Sequence, residues 1–270
     1  MPTIDYDGEL EKLLKDISEN LNDILKIKNV IIYYWRSGMY AEKLLNYCFE
    51  NEKITLPIDI RKVAEKLGIH IEEVNINDFS NENIIRLNHK VAQLSVQDNI
   101  FSGEKEVTIY ADKYIPISSK RYAIANEIAQ YILHKDEKKI YENYFAMPMC
   151  PVKIDELITD IFSIFLLIPM KNFLEEFYEY VSYRSKEQKI PISTEEWIKY
   201  LAERAGVSEY YVAYGYQYLR SSAYWIYQAW TADIDTLKEI KMSKDEMKEI
   251  KSWISQEEFY SLKDWIYQNE

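Results

Sequence analysis

Residues 120–134, KRYAIANEIAQYILH, combine apolar side chains with polar ones at a regular spacing. The apolar residues recur on one side, which predicts a helix over 118–134. Asn126 and Gln130 are four positions apart and therefore share one helix face. Glu127 lies between them. The stretch predicts an apolar helix that carries a small polar cluster.

A second polar pair follows on the next apolar stretch. Residues 154–167 predict a helix that Pro169 ends, since proline cannot continue a helix. Glu156 and Asp160 are again four positions apart and share a face. If the two helices pack together, these carboxylates lie beside the two amides of the first helix.

The two stretches resemble motifs of the ImmA/IrrE family of metallopeptidases. In that family an arginine and an aromatic residue precede H-E-x-x-H, and a later E-x-x-A-[ND]-x-F-A leads to Leu-Leu-x-Pro. Here Arg121 and Tyr122 precede Asn-Glu-Ile-Ala-Gln, and residues 156–169 read ELITDIFSIFLLIP. Residues 56–69 resemble the family's opening helix and strand, and residues 201–208 resemble its trailing helix-turn-helix-like piece. The matches, in order, span about residues 54–220.

The resemblance implies an α+β fold that is mainly helical, with a zincin-like ImmA/IrrE peptidase core, a small sheet, and helical N- and C-terminal extensions. We expect four parts along the chain. They are a helical N-terminal extension at 1–52, the peptidase-like core at 53–185, a helix-turn-helix-like segment at 186–230, and a helical tail at 231–270.

The departures from the family motif concern the metal. In the family, both histidines of H-E-x-x-H bind zinc, the glutamate activates a water, and a downstream glutamate is the third ligand. Here Asn126 and Gln130 stand at the histidine positions. Glu127 remains at the general-base position, as a vestigial catalytic residue, and Glu156 remains at the third-ligand position. The former ligand positions and Asp160 would line the old cleft.

Amides are poor replacements for imidazoles at a zinc site. Zinc favours imidazole, thiolate and carboxylate ligands, and an amide oxygen is a hard, weak donor. Without a metal, nothing lowers the pKa of a bound water. We therefore expect no metal and no cofactor, unless distant ligands such as His70 or His89 restore zinc. His134 is expected to pack or hydrogen-bond behind the cleft.

Three functions follow from this interpretation. The first is a catalytically inactive pseudo-peptidase that binds a protein partner in the regulation of a mobile element or stress response. The family commonly cleaves helix-turn-helix repressors, so the resemblance implies a repressor as one such partner. The second is an active metalloendopeptidase with a remodelled metal site that cleaves such a repressor. The third is a DNA-binding regulator.

The segment after Gly206 favours protein contact over DNA contact. Residues 209–220, EYYVAYGYQYLR, contain five tyrosines, one arginine and no lysine, whereas a recognition helix needs basic neighbours for the phosphates. Tyrosine offers a large amphipathic contact area. A partner surface is predicted at four of these tyrosines, Tyr210, Tyr211, Tyr214 and Tyr218.

Composition excludes several other classes. The 270 residues carry 33 Lys+Arg against 45 Asp+Glu, a net charge of −12, which argues against nucleic acid and anionic membranes as partners. The closest of the six glycines, Gly206 and Gly215, are nine positions apart, which excludes standard phosphate-binding loops. Cys48 and Cys150 are expected as buried, reduced thiols, with a disulfide between them as the alternative. The start of the chain lacks a basic and then apolar leader, so a cytoplasmic protein is expected. A homo-oligomer remains open.

Further elements are predicted from periodicity and caps. Helices are expected over 9–28, packed within the same chain, and over 39–52. Pro57 is expected to open a third helix that Gly68 ends. Strands are expected at 69–74, 91–96 and 107–110. Capping boxes at Ser193, Ser243 and Ser255 predict later helix starts.

Overall fold

The computed structural model describes most of the chain between residues 8 and 218. The described residues are 8–22, 30–50, 52–75, 92–98, 105–133, 154–173, 175–176, 179–180, 193–218, 244–245 and 248. Within them the fold is mainly helical with a small mixed sheet, so the α+β prediction is confirmed at this level. No helix in these ranges is long and apolar enough to cross a membrane.

Two N-terminal helices come first, α1 at Gly8–Asn22 and α2 at Val30–Cys48. One stripe of α1, Leu10, Leu14, Ile17 and Leu21, is buried because these side chains recur every three or four residues. This stripe belongs to the same hydrophobic core as the rest of the described chain, so the prediction that α1 packs within its own chain is confirmed.

The boundaries predicted for α2 were wrong. The helix begins at Val30, nine residues before the predicted start at Met39, and ends at Cys48. Residues 30–35, VIIYYW, are β-branched and aromatic and do not favour a helix on propensity alone. Tertiary packing overrides propensity here, because α2 packs along α5 and the ring of Tyr34 lies 4.2 Å from that of Tyr218.

The third helix, α3 at Ile60–Lys66, begins later than predicted. Pro57 does not open it. Asp59 is the N-cap, and its carboxylate accepts hydrogen bonds from the backbone N–H groups of Arg61 and Lys62. Gly68, with a φ of 66°, follows the helix as predicted.

Three strands form one sheet. They are β1 at Ile69–Val74, β2 at Ala92–Asp98 and β3 at Lys105–Asp112, in the order β1-β3-β2. β1 runs parallel to β3, with Ile69 opposite Val107, and β2 runs antiparallel to it. The two later strands are longer than predicted, because ladder pairing extends beyond their apolar centres.

Four helices follow the sheet: α4 at Ile117–Leu133, α5 at Ile154–Leu167, α6 at Thr194–Ala205 and α7 at 209–218. α4 lies against β2 and β3 on one side and against α5 on another. Ser193 caps α6, accepting from the backbone N–H of Glu196 at 3.4 Å, as its capping box predicts. Further helical residues lie at 170–173, 175–176 and 179–180.

One core joins these elements. Buried side chains from α1 through α7 form a single hydrophobic cluster, so the expected boundary at 52/53 is not a boundary between separate cores. α7 lies close to α5, because a Cβ on Gly215 would stand 3.0 Å from Cγ2 of Ile164. The expected tail at 231–270, with its capping boxes at Ser243 and Ser255, lies almost wholly outside the described residues.

Candidate functional site

α4 and α5 meet through a short chain of hydrogen bonds. Nε2 of Gln130 donates to Oδ1 of Asn126 at 3.2 Å, and Nδ2 of Asn126 donates to Oδ1 of Asp160 at 3.1 Å. The hydroxyl of Tyr122 donates to the same Asp160 oxygen at 2.8 Å. We call these four residues the polar chain. Tyr122, Asn126 and Gln130 share one face of α4 because they are four residues apart.

Two donors of the polar chain, Tyr122 and Asn126, converge on the Asp160 carboxylate. Hydrogen bonds to an ionised group are shorter and about twice as strong as neutral ones. Tyr122, Asn126 and Gln130 each donate one hydrogen bond to an oxygen within the protein. The arrangement therefore connects two apolar helices through a partly buried anion, Asp160, that has two neutral donors on one oxygen.

Glu127 makes its hydrogen bond elsewhere. Its side chain is only 4% exposed, and Oε2 accepts from the backbone N–H of Leu94 at 2.9 Å. Leu94 belongs to β2, which is an end strand in the sheet order β1-β3-β2. The carboxylate at the expected general-base position thus links α4 to the sheet, whereas the neighbouring Asn126 links α4 to α5.

Tyrosine rings surround the polar chain. Tyr122 stacks on Tyr211 with ring centroids 3.5 Å apart and an angle of 13° between the ring planes. Tyr214 lies 4.5 Å from Tyr218, which in turn lies 4.2 Å from Tyr34. These five residues, the tyrosine cluster, come from α2, α4 and α7, so α7 covers the side of α4 that carries Tyr122.

The phenols of this cluster are held in the protonated form. Burial, with a contribution from the charge of Asp160, raises the pKa of Tyr211 to about 12. Burial raises the pKa of Tyr122 well above its ordinary value, and the charge of Asp160 and the hydrogen bond to it add to the effect. Burial and Tyr214 likewise raise the pKa of Tyr34 to about 12. At neutral pH the cluster is therefore a set of neutral hydrogen-bond donors.

The four tyrosines of the predicted partner surface do not share one exposure. Tyr210 is 60% exposed, Tyr211 and Tyr214 are half-buried, and Tyr218 is buried. Tyr210 is therefore the most exposed of the four, and only Tyr218 is buried in the core. Sequence reasoning missed Tyr34, which carried no local signal. The position of Tyr122 beside the two amides could be predicted, because it precedes Asn126 by one helical turn and lies on the same face of α4.

Several predicted residues are placed only in part. Glu156 lies in the first turn of α5, and its side chain is outside the described residues. His134, His89 and Cys150 are also outside them. His70 is exposed on β1. In the described ranges, no three His, Cys, Asp or Glu residues gather closely enough to hold a metal ion.

The described donors of the cleft do not fit a zinc ion. Asn126 directs its N–H group at Asp160, and its oxygen already accepts from Gln130. Zinc needs lone pairs from imidazole, thiolate or carboxylate at about 2.0–2.3 Å. The amides of Asn126 and Gln130, at the two expected ligand positions, offer only weak oxygen ligands.

The thiol of Cys48, at the end of α2, is free and buried, as predicted for that residue. Burial raises its pKa to about 12, so it is present as the unreactive thiol.

Arg121 positions the segment that follows α5. Its guanidinium donates to the backbone oxygen of Ile58 at 2.6 Å and to that of Ala205, at the end of α6, at 3.4 Å. A cation at a helix C-terminus is favourable because of the helix dipole. Gly206 then adopts a φ of 64° and turns the chain into α7. Arg121 thereby fixes α6 and the start of α7 to the N-terminal end of α4.

An open groove of about 550 Å³ lies between that end of α4 and the α6–α7 turn. In the part of the chain that the structure describes, its apolar lining includes Ile117, Val207 and Tyr210, and its charged lining includes Lys199, Glu203 and Glu209. α7 itself, residues 209–218, contains neither lysine nor arginine.

No family model matches this chain, and none of the curated proteins is significantly similar to it.

Proposed function

We propose that this protein is a catalytically inactive relative of the ImmA/IrrE zinc peptidases that acts by binding a protein partner. The observation that carries the proposal is the direction of the hydrogen bonds in the polar chain. Asn126 and Gln130 stand where the family motif has its two zinc-binding histidines, and both amides donate within the protein, the first to Asp160. The setting that the resemblance implies is regulation of a mobile element or of a stress response.

The contact of Glu127 supports the same interpretation. A general base must reach the proton of a water at the reacting carbonyl. Here a Glu127 oxygen accepts from the Leu94 backbone N–H at 2.9 Å, in a side chain that is almost fully buried. Replacing glutamate by glutamine would keep this acceptor and remove the base. This difference separates a structural role from a catalytic one.

The alternative is an active metalloendopeptidase whose metal site is completed by distant ligands. The distant ligands of that hypothesis are His70, which is exposed on β1, and His89, which lies outside the described residues. The side chain of Glu156, at the third-ligand position, lies outside them as well. A DNA-binding regulator is the third function, and α7 offers no basic side chain to support it.

Metal content and proteolysis test the proposal directly. The full chain, purified without chelators, is expected to hold zinc far below one ion per chain and to leave an unfolded protein substrate intact. The double variant Asn126→His/Gln130→His restores the family motif and serves as the matched comparison for zinc uptake. Stoichiometric zinc in the unaltered chain, or cleavage that a chelator abolishes, would overturn the proposal.

The cellular arm uses Glu127→Gln. If the protein acts by binding, this variant keeps the phenotype of the unaltered chain, because fold and surface are unchanged. Loss of the phenotype in a variant that circular dichroism shows to be folded would favour the metallopeptidase alternative.

A further inference from the structure

Exposed apolar side chains collect at one end of α4. Four large apolar side chains are exposed within the described residues, and three of them lie at this end: Tyr114 (70%), Ile117 (66%) and Tyr210 (60%). Ile117 and Tyr210 line the groove between α4 and the α6–α7 turn, and Tyr114 lies in the turn that leads into α4. Clustered apolar exposure of this kind marks interaction sites more often than scattered exposure does.

The walls of the groove are held in place from behind. Arg121 ties the end of α6 to α4 and to the loop before α3. Glu176 accepts from Arg204 at 2.5 Å and from the Tyr200 hydroxyl at 3.1 Å, on side chains of α6 outside the groove lining. A preformed surface lowers the entropy cost of binding.

The charges at the groove favour a basic occupant. Among the described lining residues, the charged ones are Glu203, Glu209 and one cation, Lys199, and all three are exposed. The whole chain carries a net charge of −12. A second copy of this chain also carries a net charge of −12, and net like charges oppose association.

We propose that this groove docks a basic segment of a partner protein, with a bulky apolar side chain seated between Ile117 and Tyr210 and Lys or Arg beside Glu203 and Glu209. The proposal rests on the proposed function, because it names the surface and the partner chemistry of a protein that acts by binding. It places the partner at the N-terminal end of α4. The α4 members of the polar chain, Tyr122, Asn126 and Gln130, lie about one and a half to three and a half turns further along the helix.

A peptide display library selected on the immobilised full chain tests this. The expected result is enrichment of peptides with positive net charge and one or two aromatic or aliphatic anchors. An enriched peptide, made synthetically, should bind the double variant Ile117→Lys/Tyr210→Lys about tenfold or more weakly, because both anchor contacts are lost. The matched control is Val96→Lys, which alters the fourth exposed apolar side chain, on β2, and should leave binding unchanged.

Charge reversals at the groove test whether the affinity for the peptide changes in the expected direction. Lys199→Glu removes the like charge and is expected to tighten binding several-fold at low salt, whereas Glu203→Lys weakens it. Both effects should shrink at high salt. Lys12→Glu, on the exposed side of α1, is the matched charge change and should have no effect.

Three results would overturn the proposal. The first is that the library yields acidic peptides, or no peptides beyond those that an unrelated acidic protein also enriches. The second is that the enriched peptide binds Ile117→Lys/Tyr210→Lys and Val96→Lys with equal affinity. The third is that the unaltered chain forms a dimer and that Ile117→Lys/Tyr210→Lys is a monomer. The last would identify a second copy as the occupant. Zinc binding or proteolysis by the chain would overturn the proposed function while leaving the peptide result to stand alone.

Discussion

The hydroxyl of Tyr122 on α4 donates a 2.8 Å hydrogen bond to Oδ1 of Asp160 on α5. Asn126, one turn further along α4, donates to the same oxygen at 3.1 Å. A metal cluster would bring lone pairs together around a cation. Here two neutral hydrogen-bond donors on α4 converge on the carboxylate of Asp160 instead. The contact between α4 and α5 is therefore built around a negative charge and not around a cation.

Removing the Asp160 carboxylate should destabilise the fold. Asp160→Ala leaves the Tyr122 hydroxyl and the Asn126 amide without their acceptor, which costs about 2 kcal/mol of unfolding free energy. Asp160→Asn keeps the shape and one acceptor oxygen, and should cost about 1 kcal/mol. Equilibrium urea unfolding measures both. Glu203→Gln, an exposed change, is the control, and equal stability of the Asp160→Ala variant and the unaltered chain would contradict the role assigned to the polar chain.

We expect Glu127 to stabilise the contact between α4 and strand β2. Glu127→Ala leaves the half-buried Leu94 N–H without this acceptor and empties the buried site of the Glu127 side chain, and should cost about 2 kcal/mol. Glu127→Gln retains an acceptor and should cost about 1 kcal/mol. Hydrogen exchange at the Leu94 amide is the specific readout, because its protection should fall in the alanine variant and persist in the glutamine variant. Unchanged protection in the alanine variant would refute the link.

The tyrosine cluster predicts a loss of stability in alkali. The folded pKa of Tyr211 is about 12 against an ordinary value of 10.0, so the folded state keeps a proton that the unfolded state releases. The stabilisation is complete below pH 10, and it is lost as the pH rises from 10 to about 12. The pKa of Tyr34 is likewise raised from 10.0 to about 12, so Tyr34 contributes to the same loss of stability over the same pH range.

Unfolding free energies measured across this pH window test the alkaline effect. Tyr211→Phe keeps the ring that stacks on Tyr122 and removes the ionisable group, so the slope against pH should fall by about one proton. Tyr114→Phe, at an exposed position, is the matched control. An unchanged slope in Tyr211→Phe would show that this phenol ionises alike in both states.

The turn at Gly206 should resist substitution. Its φ of 64° is in the left-handed region, and a Cβ there would lie 3.4 Å from Nε of Arg121. Gly206→Ala is expected to cost about 1–2 kcal/mol of unfolding free energy. Gly8→Ala is the control, because a Cβ at Gly8 has no atom within 4 Å. Thermal unfolding of both variants measures the difference, and a neutral Gly206→Ala would contradict it.

Local spacing accounts for what could be predicted. Helical periodicity located α4 and α5 to within a residue at most ends and put Asn126 and Gln130 on one face, because the four-residue repeat is a property of the helix itself. The capping box at Ser193 predicted the start of α6, because this hydrogen bond also joins residues within one helical turn. The early start of α2 was missed, because its first residues favour a strand and become helical only in packed surroundings.

The sequence by itself determined the amphipathic helices, the short apolar strands, the acidic charge and the presence of two amides, Asn126 and Gln130, on one face of α4. Only the tertiary structure decided which partner each polar group met. It paired Asn126 with Asp160, turned Glu127 to the backbone of Leu94, and buried Tyr218 while leaving Tyr210 exposed. The physical reason is range: periodicity and capping act within one helical turn or two. Hydrogen-bond partners and burial depend on residues more than thirty positions away, which meet only after the helices and the sheet have packed.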